Sequence, residues 1–218
     1  MPDDSAVAPR PDESSVAPRP TTVRAKHAAS LIVLRIENDE PHMLMGMRGA
    51  KHRFMPNRLV FPGGRVDRAD LTAPFATPVP AATERALRKK TNASLAQALA
   101  AAAARELREE TGLSLGDPPR LDGLHYLARA VTPPGLPIRF NVRFLVVEER
   151  HVTGELGGDG ELDGLRFYRM TEALALDLAL PTRRVLERLK LWLGLPEVLR
   201  NDQTMTPVLL RDRGWLME

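Results

Sequence analysis

Between Ser94 and Gly112 the chain holds a helix whose composition favours it strongly and whose far end works against it. Leu95-Ala96-Gln97-Ala98-Leu99, followed by the five alanines Ala100 to Ala104, is among the best helix-forming compositions available. Ser94 with Gln97 three residues on predicts a capping-box start, and Gly112 followed by Leu113 predicts a Schellman-type stop. The last turns then carry Glu106, Glu109 and Glu110 within about 100° of one another on one face. Acids there oppose the helix macrodipole by about 0.3–1 kcal/mol each, and like charges at i,i+4 cost a few tenths more. Arg105 reaches Glu109 at i+4, but one guanidinium does not neutralise three carboxylates. A divalent cation held by oxygen ligands would. An isolated Glu-Leu-Arg-Glu-Glu also reads as a solvated charged face, so its surroundings decide.

Upstream, Phe61-Pro62-Gly63-Gly64-Arg65-Val66-Asp67-Arg68-Ala69-Asp70 is a tight glycine turn directly after an apolar run. Taken with Arg105 to Leu113, it resembles the signature of the Nudix hydrolases. Gly64 takes the first position and Asp70 the acid that is usually Glu. Arg105-Glu106-Leu107-Arg108-Glu109-Glu110-Thr111-Gly112 fills the rest, and Leu113 is the closing apolar residue. The departure is the spacing: 41 positions separate Gly64 from Arg105, nearly three times the usual interval. A split box of this kind is similar to that of the peroxisomal coenzyme A diphosphatases, which carry an insertion at this point. The lead-in from Arg53 to Asp67 looks like that branch too, as does Asp at position 70.

The resemblance implies an α/β fold, a Nudix-type α/β/α sandwich with a mixed sheet and an insertion inside the box. It implies hydrolysis of a nucleoside diphosphate linked to another group, with Mg²⁺ or Mn²⁺ as cofactor. Glu106, Glu109 and Glu110 are the implied metal ligands, joined by the backbone carbonyl of Gly63, where glycine lets the main chain approach an ion. Asp70 either joins the outer metal shell or caps its turn, as Asp commonly does. Arg105 is read as an orienting partner of a box glutamate. For a general base, Glu155 and Glu161 both stand in the glycine-rich stretch from Gly154, and Glu161 is preferred because a strand follows it directly.

For substrate, the split box points to coenzyme A or an acyl derivative, giving 3′,5′-ADP and a 4′-phosphopantetheine portion. Arg48, Lys51, His52, Arg53 and Arg58 cluster before the glycine turn and are expected to meet the 3′-phosphate by charge-assisted hydrogen bonds. NADH, ADP-ribose and dinucleoside polyphosphates are the alternatives within the class. A non-catalytic nucleotide sensor is the alternative outside it; its expected marks, lost box glutamates and an appended DNA-binding domain, are not in the sequence. Arg139 and Arg143 alternate with Phe140 and Phe144, which puts both arginines on one face of a strand, toward cleft or solvent.

Composition narrows the remaining classes. The content is 43% hydrophobic and 27% charged, as in soluble globular domains. No apolar run approaches the roughly 20 residues that cross a bilayer, so a membrane partner is not expected. A net charge of +3 without a basic helix or aromatic platform does not indicate nucleic acid, though it suits a small anionic substrate. There is no cysteine, which excludes disulfides and thiolate metal sites. The acidic, proline-bearing start does not read as a secretory signal, and a cytoplasmic location is expected.

Residues 1–26 read as a flexible or extended tail, because Asp3 to Pro11 is echoed imperfectly by Asp12 to Pro20 and both copies are polar and proline-bearing. A neighbouring subunit holding that tail would make a homodimer. The globular part spans residues 27–218, with the insertion within 71–100. Strands are predicted at Ala28–Ile36, Met43–Arg48, Leu59–Phe61, Leu121–Val131, Ile138–Glu148 and Leu162–Arg169. Helices are predicted at Ala81–Lys90, from Thr171, and at Thr182–Leu193.

Overall fold

The structure, a computed structural model, describes residues 23–49, 56–158, 160–201, 204–210 and 214–218. Most of the N-terminal tail, with Lys51, His52 and Arg53, therefore lies outside the described residues. Strand β1 (Lys26–Glu37) is apolar without alternation and is buried from Ala28 to Leu34, as a strand covered on both faces must be. Asn38 and Asp39, both at positive φ, turn it into β2 (Glu40–Arg48). β3 (Leu59–Val60) and β4 (Gly63–Arg65) follow, then α1 (Ala81–Leu87) and α2 (Ala93–Thr111). β5 (His125–Val131), β6 (Phe140–Glu148) and β7 (Leu162–Arg169) lead to α3 (Met170–Ala175), α4 (Leu180–Leu193) and α5 (Glu197–Arg200). β8 (Pro207–Leu210) and β9 (Trp215–Met217) close the chain.

These strands form one mixed sheet in the order β3-β2-β1-β6-β5-β8-β9, with β4 paired to β1 and β7 to β2. β1 runs parallel to β6, with Lys26 opposite Phe140 and Leu34 opposite Glu148. Because side chains alternate, the sheet feeds two cores. Leu31, Val33, Leu145 and Val147 pack with α1 and α2, whereas Ile32, Leu34, Phe144 and Val146 pack with α3 and α4. The layered α/β sandwich is therefore the observed architecture. Among the described residues no helix is long and apolar enough to cross a membrane.

Several boundaries differ from expectation, for local reasons. The cap of α2 is Asn92, whose side-chain oxygen accepts from Leu95 N–H at 2.8 Å; Ser94 sits inside the first turn. Gly112 ends the helix in the left-handed conformation, φ 73°, as expected. β5 starts at His125, four residues later than its apolar run, and α1 stops at Leu87. The short elements β4, α5, β8 and β9 have no periodicity to mark them.

The insertion is built into the domain. Its Thr83 hydroxyl donates to the Leu124 carbonyl at 2.8 Å, and Ala86 and Leu87 are buried beside Leu99 and Ala103 of α2. The alanines of α2 leave room for α1 to lie close, and burying Leu87 fully contributes about 2 kcal/mol.

Candidate active site

The glycine turn and the end of α2 meet despite the 41 positions between Gly64 and Arg105. A Cβ placed on Gly64 would run into the Glu106 carboxylate, so any larger residue there would push that carboxylate aside. One residue earlier, Gly63 N–H donates to Glu110 Oε2 at 2.7 Å. From the other side, the loop before β7 seats on the helix end. Gly157 N–H donates to the Thr111 carbonyl at 2.8 Å, and a Cβ on Gly158 would lie 2.2 Å from the Glu110 carbonyl oxygen. Gly158 thus has a steric cause, whereas a Cβ on Gly157 or Gly160 would meet nothing within 4 Å.

Arg105 is the hub of the cluster. Its Nε and Nη2 donate to the two oxygens of Asp70 at 3.0 and 3.1 Å, and Nη2 also donates to the Arg65 carbonyl. Its Nη1 lies 2.9 Å from Glu106 Oε1 and donates to Glu109 Oε2 at 2.8 Å. Burial alone would lower the pKa of this guanidinium, but the Asp70 hydrogen bonds and the Glu106 and Asp70 charges outweigh it and raise it. Asp70 is buried, caps its turn by accepting from Asp67 N–H, and is thereby turned toward Arg105.

Two of the glutamates are raised above the usual carboxylate range. Burial is the main cause for Glu106, with Arg105 opposing it. For Glu110, burial and the Glu106 and Glu161 charges outweigh the Gly63 hydrogen bond and push the carboxyl up to about 8. Arg48 approaches Glu110 Oε1 at 3.6 Å, yet that oxygen and the buried Arg48 Nε find no hydrogen-bond partner. Glu109 is the most exposed of the three.

A cavity of about 600 Å³ opens over this cluster. Its floor holds Arg48, Gly63, Arg105, the three glutamates and Glu161; its opposite wall is apolar, with Val131, Leu136, Phe140 and Pro181, and Phe61 edge-on to Phe144. Glu161 lines the cavity and its charge reaches Glu106 and Glu110, whereas Glu155 is not among the lining residues. No residue of the insertion lines it.

Other expected residues stand elsewhere. Arg58 does not line the cavity: its guanidinium pairs with the Asp177 carboxylate and carbonyl. Arg143 faces neither cleft nor solvent; it is fully buried under α1, bonded to Asn141 and the Lys89 carbonyl. The apolar wall was not anticipated, although the alternation of Phe140, Val142 and Phe144 was its signal.

The donor set suits a hard dication: carboxylate oxygens only, with one buried oxygen of Glu110 lacking any hydrogen bond. Among the described residues, however, no three acidic or imidazole groups stand together at metal-ligand spacing. Arg105 draws Glu106 and Glu109 to itself, while Gly63 N–H holds Glu110.

Comparison with known proteins gives a consistent result. The family model for the NUDIX domain matches residues 25–189. A NUDIX hydrolase from Alicyclobacillus acidocaldarius is similar in structure, with a TM-score of 0.59 and 26% identity over 75% of this chain and 90% of that one. The NUDIX domain of Shewanella oneidensis NrtR, solved with ADP ribose, has a TM-score of 0.53 at 13% identity, covering 79% of this chain and 90% of that one. A MutT NUDIX hydrolase from Burkholderia pseudomallei has a TM-score of 0.50 at 18% identity over 76% and 98%. The last two share the fold alone. No curated protein matches the sequence.

Proposed function

The chain belongs to the NUDIX family and is a Nudix pyrophosphatase, and from that premise we propose that it cleaves the diphosphate of coenzyme A or an acyl-coenzyme A. The reading is carried by one observation: the Asp70–Arg105 pair rebuilds a complete box across the insertion, beneath a cavity with one acidic and one apolar side. Glu106, Glu109 and Glu110 would hold Mg²⁺ or Mn²⁺, with the Gly63 carbonyl beside them. When bound, the ion neutralises diphosphate charge and makes water a better nucleophile.

The chain's own groups do the rest. Arg105 fixes the Glu106 and Glu109 rotamers, a positioning role. Asp70, which caps its turn, in turn fixes Arg105. Arg48, whose Nε has no partner, offers a guanidinium to a phosphate oxygen beside Glu110. Glu161 takes the proton of the attacking water as its oxygen bonds to phosphorus and the bridging P–O bond breaks. The apolar wall from Val131 to Phe144 suits a pantetheine arm or an acyl chain better than a second sugar or base.

The test is product release from coenzyme A, acyl-coenzyme A, NADH and ADP-ribose with each metal. Cleavage of the coenzyme A pair well above the others supports the reading. Preference for NADH or ADP-ribose would leave the enzyme class and discard this substrate.

A further inference from the structure

Beside the glutamate cavity lies a second, open depression of about 530 Å³. Over an apolar base of Val66, Leu71 and Leu95, the basic residues Arg24, Lys26, His27, Arg65 and Arg68 line it with one acid, Asp67, which accepts from Arg65 Nε at 3.1 Å. Arg24, Lys26 and Arg68 form no ion pair with any described carboxylate. On the sheet, Ala28 stands opposite Arg65, so Lys26, two residues earlier, projects from the same face as Arg65. The buried Nδ1 of His27 has no hydrogen-bond partner. Three cations with no ion-pair partner among the described residues, gathered in one depression, focus a positive potential on whatever enters.

The depression adjoins the active site, since Arg65 and Asp67 line both. Arg65 also offers its carbonyl to Arg105, one step from the glutamates. A ribose has this geometry: its 5′ oxygen leads to the diphosphate, and its 2′ or 3′ oxygen carries a further phosphate away from it. We propose that the depression binds a phosphomonoester on the ribose of the substrate, while the diphosphate lies at Glu106, Glu109 and Glu110. The inference rests on the Nudix pyrophosphatase reading, and for coenzyme A the group bound is the 3′-phosphate. It reassigns that contact from the stretch before the glycine turn, where Arg48 faces Glu110 and Arg58 faces Asp177. Charge-assisted bonds from partly exposed arginine and lysine give such a site selectivity and a salt-sensitive affinity.

The test is calorimetric binding of 3′,5′-ADP, 2′,5′-ADP and 5′-AMP to the full chain with Mg²⁺, at low and high salt. The wild type is expected to bind one of the bisphosphates at least about tenfold more tightly than 5′-AMP, and which one it favours identifies the ribose position. In the Lys26→Ala/Arg68→Ala double variant, both residues being exposed, that preference is expected to fall to within about twofold, with 5′-AMP binding unchanged. Equal binding of all three ligands to the wild type, or a preference that survives in the variant, would overturn the inference. The readout does not depend on turnover: a bisphosphate preference in the wild type that the double variant loses, with no cleavage of coenzyme A, would retire the substrate reading and keep the anion site.

Discussion

Asp70 and Arg105, 35 residues apart in sequence, are joined by two hydrogen bonds of 3.0 and 3.1 Å that close the loop carrying the insertion. The closure explains how a split box stays a box. The entropy cost of a longer loop grows only with the logarithm of its length, so one buried bidentate pair and the packing of α1 suffice to hold it shut. Everything between the two residues is free to serve the core without displacing Glu106 from Gly64.

Asp70→Asn keeps the shape of the side chain and removes its charge. Because the carboxylate is buried and Arg105 retains Glu106 and Glu109, the loss of stability is expected to be about 1–3 kcal/mol, with a fall in kcat. Urea unfolding of the variant beside the wild type reads the first, and an unchanged midpoint would show that the pair does not close the insertion.

The features legible in the sequence were local ones. The acidic end of α2 and its stop at Gly112 follow from composition and one glycine, and β7 was expected over the same residues that form it. Features that depend on distant partners were not legible. Ser94 looked like the cap because Asn92 has no local pattern to favour it. Arg58 sits among other cations in sequence, yet Asp177, far along the chain, takes it. Arg143 alternates as a surface residue would but is buried under the insertion, whose path nothing local predicts. β8 and β9 are held by pairing alone.

Glu218 accepts from Nε and Nη2 of Arg129, a residue 7% exposed, at the edge of the pair β8 and β9. Arg129 stands opposite the fully buried Arg143, so Glu218 supplies the negative charge for both. Glu218→Gln is expected to destabilise the fold by about 3 kcal/mol, since a buried cation loses its partner. Thermal unfolding checks it, and a midpoint equal to wild type would contradict the pairing.

His125 is lowered from its ordinary value, chiefly by burial, although its bond to Asn201 opposes this. The folded state thus binds its proton less readily than the unfolded state does. The stability this residue contributes is complete above about pH 6.5 and is lost as pH falls through the lower folded value. His125→Gln is expected to flatten the decline in stability between pH 7 and 5; identical slopes in the two proteins would refute it.

Leu136 is 47% exposed on the apolar wall, so replacing it leaves the core intact. If an acyl chain lies there, Leu136→Ser raises KM for a long acyl-coenzyme A by about tenfold, from burial worth 1–2 kcal/mol, and leaves free coenzyme A unaffected. Equal changes for both substrates would place the acyl chain elsewhere.

The most direct test of the account is turnover and Mn²⁺ binding by Glu109→Gln. The substitution keeps size and helix propensity and removes one charge from an exposed side chain, so the fold is retained. The account predicts weaker Mn²⁺ binding and a kcat at least about 100-fold lower, some 2.7 kcal/mol of transition-state stabilisation. Near-normal turnover with unchanged metal binding would contradict the assignment of the glutamate cluster as the catalytic metal site.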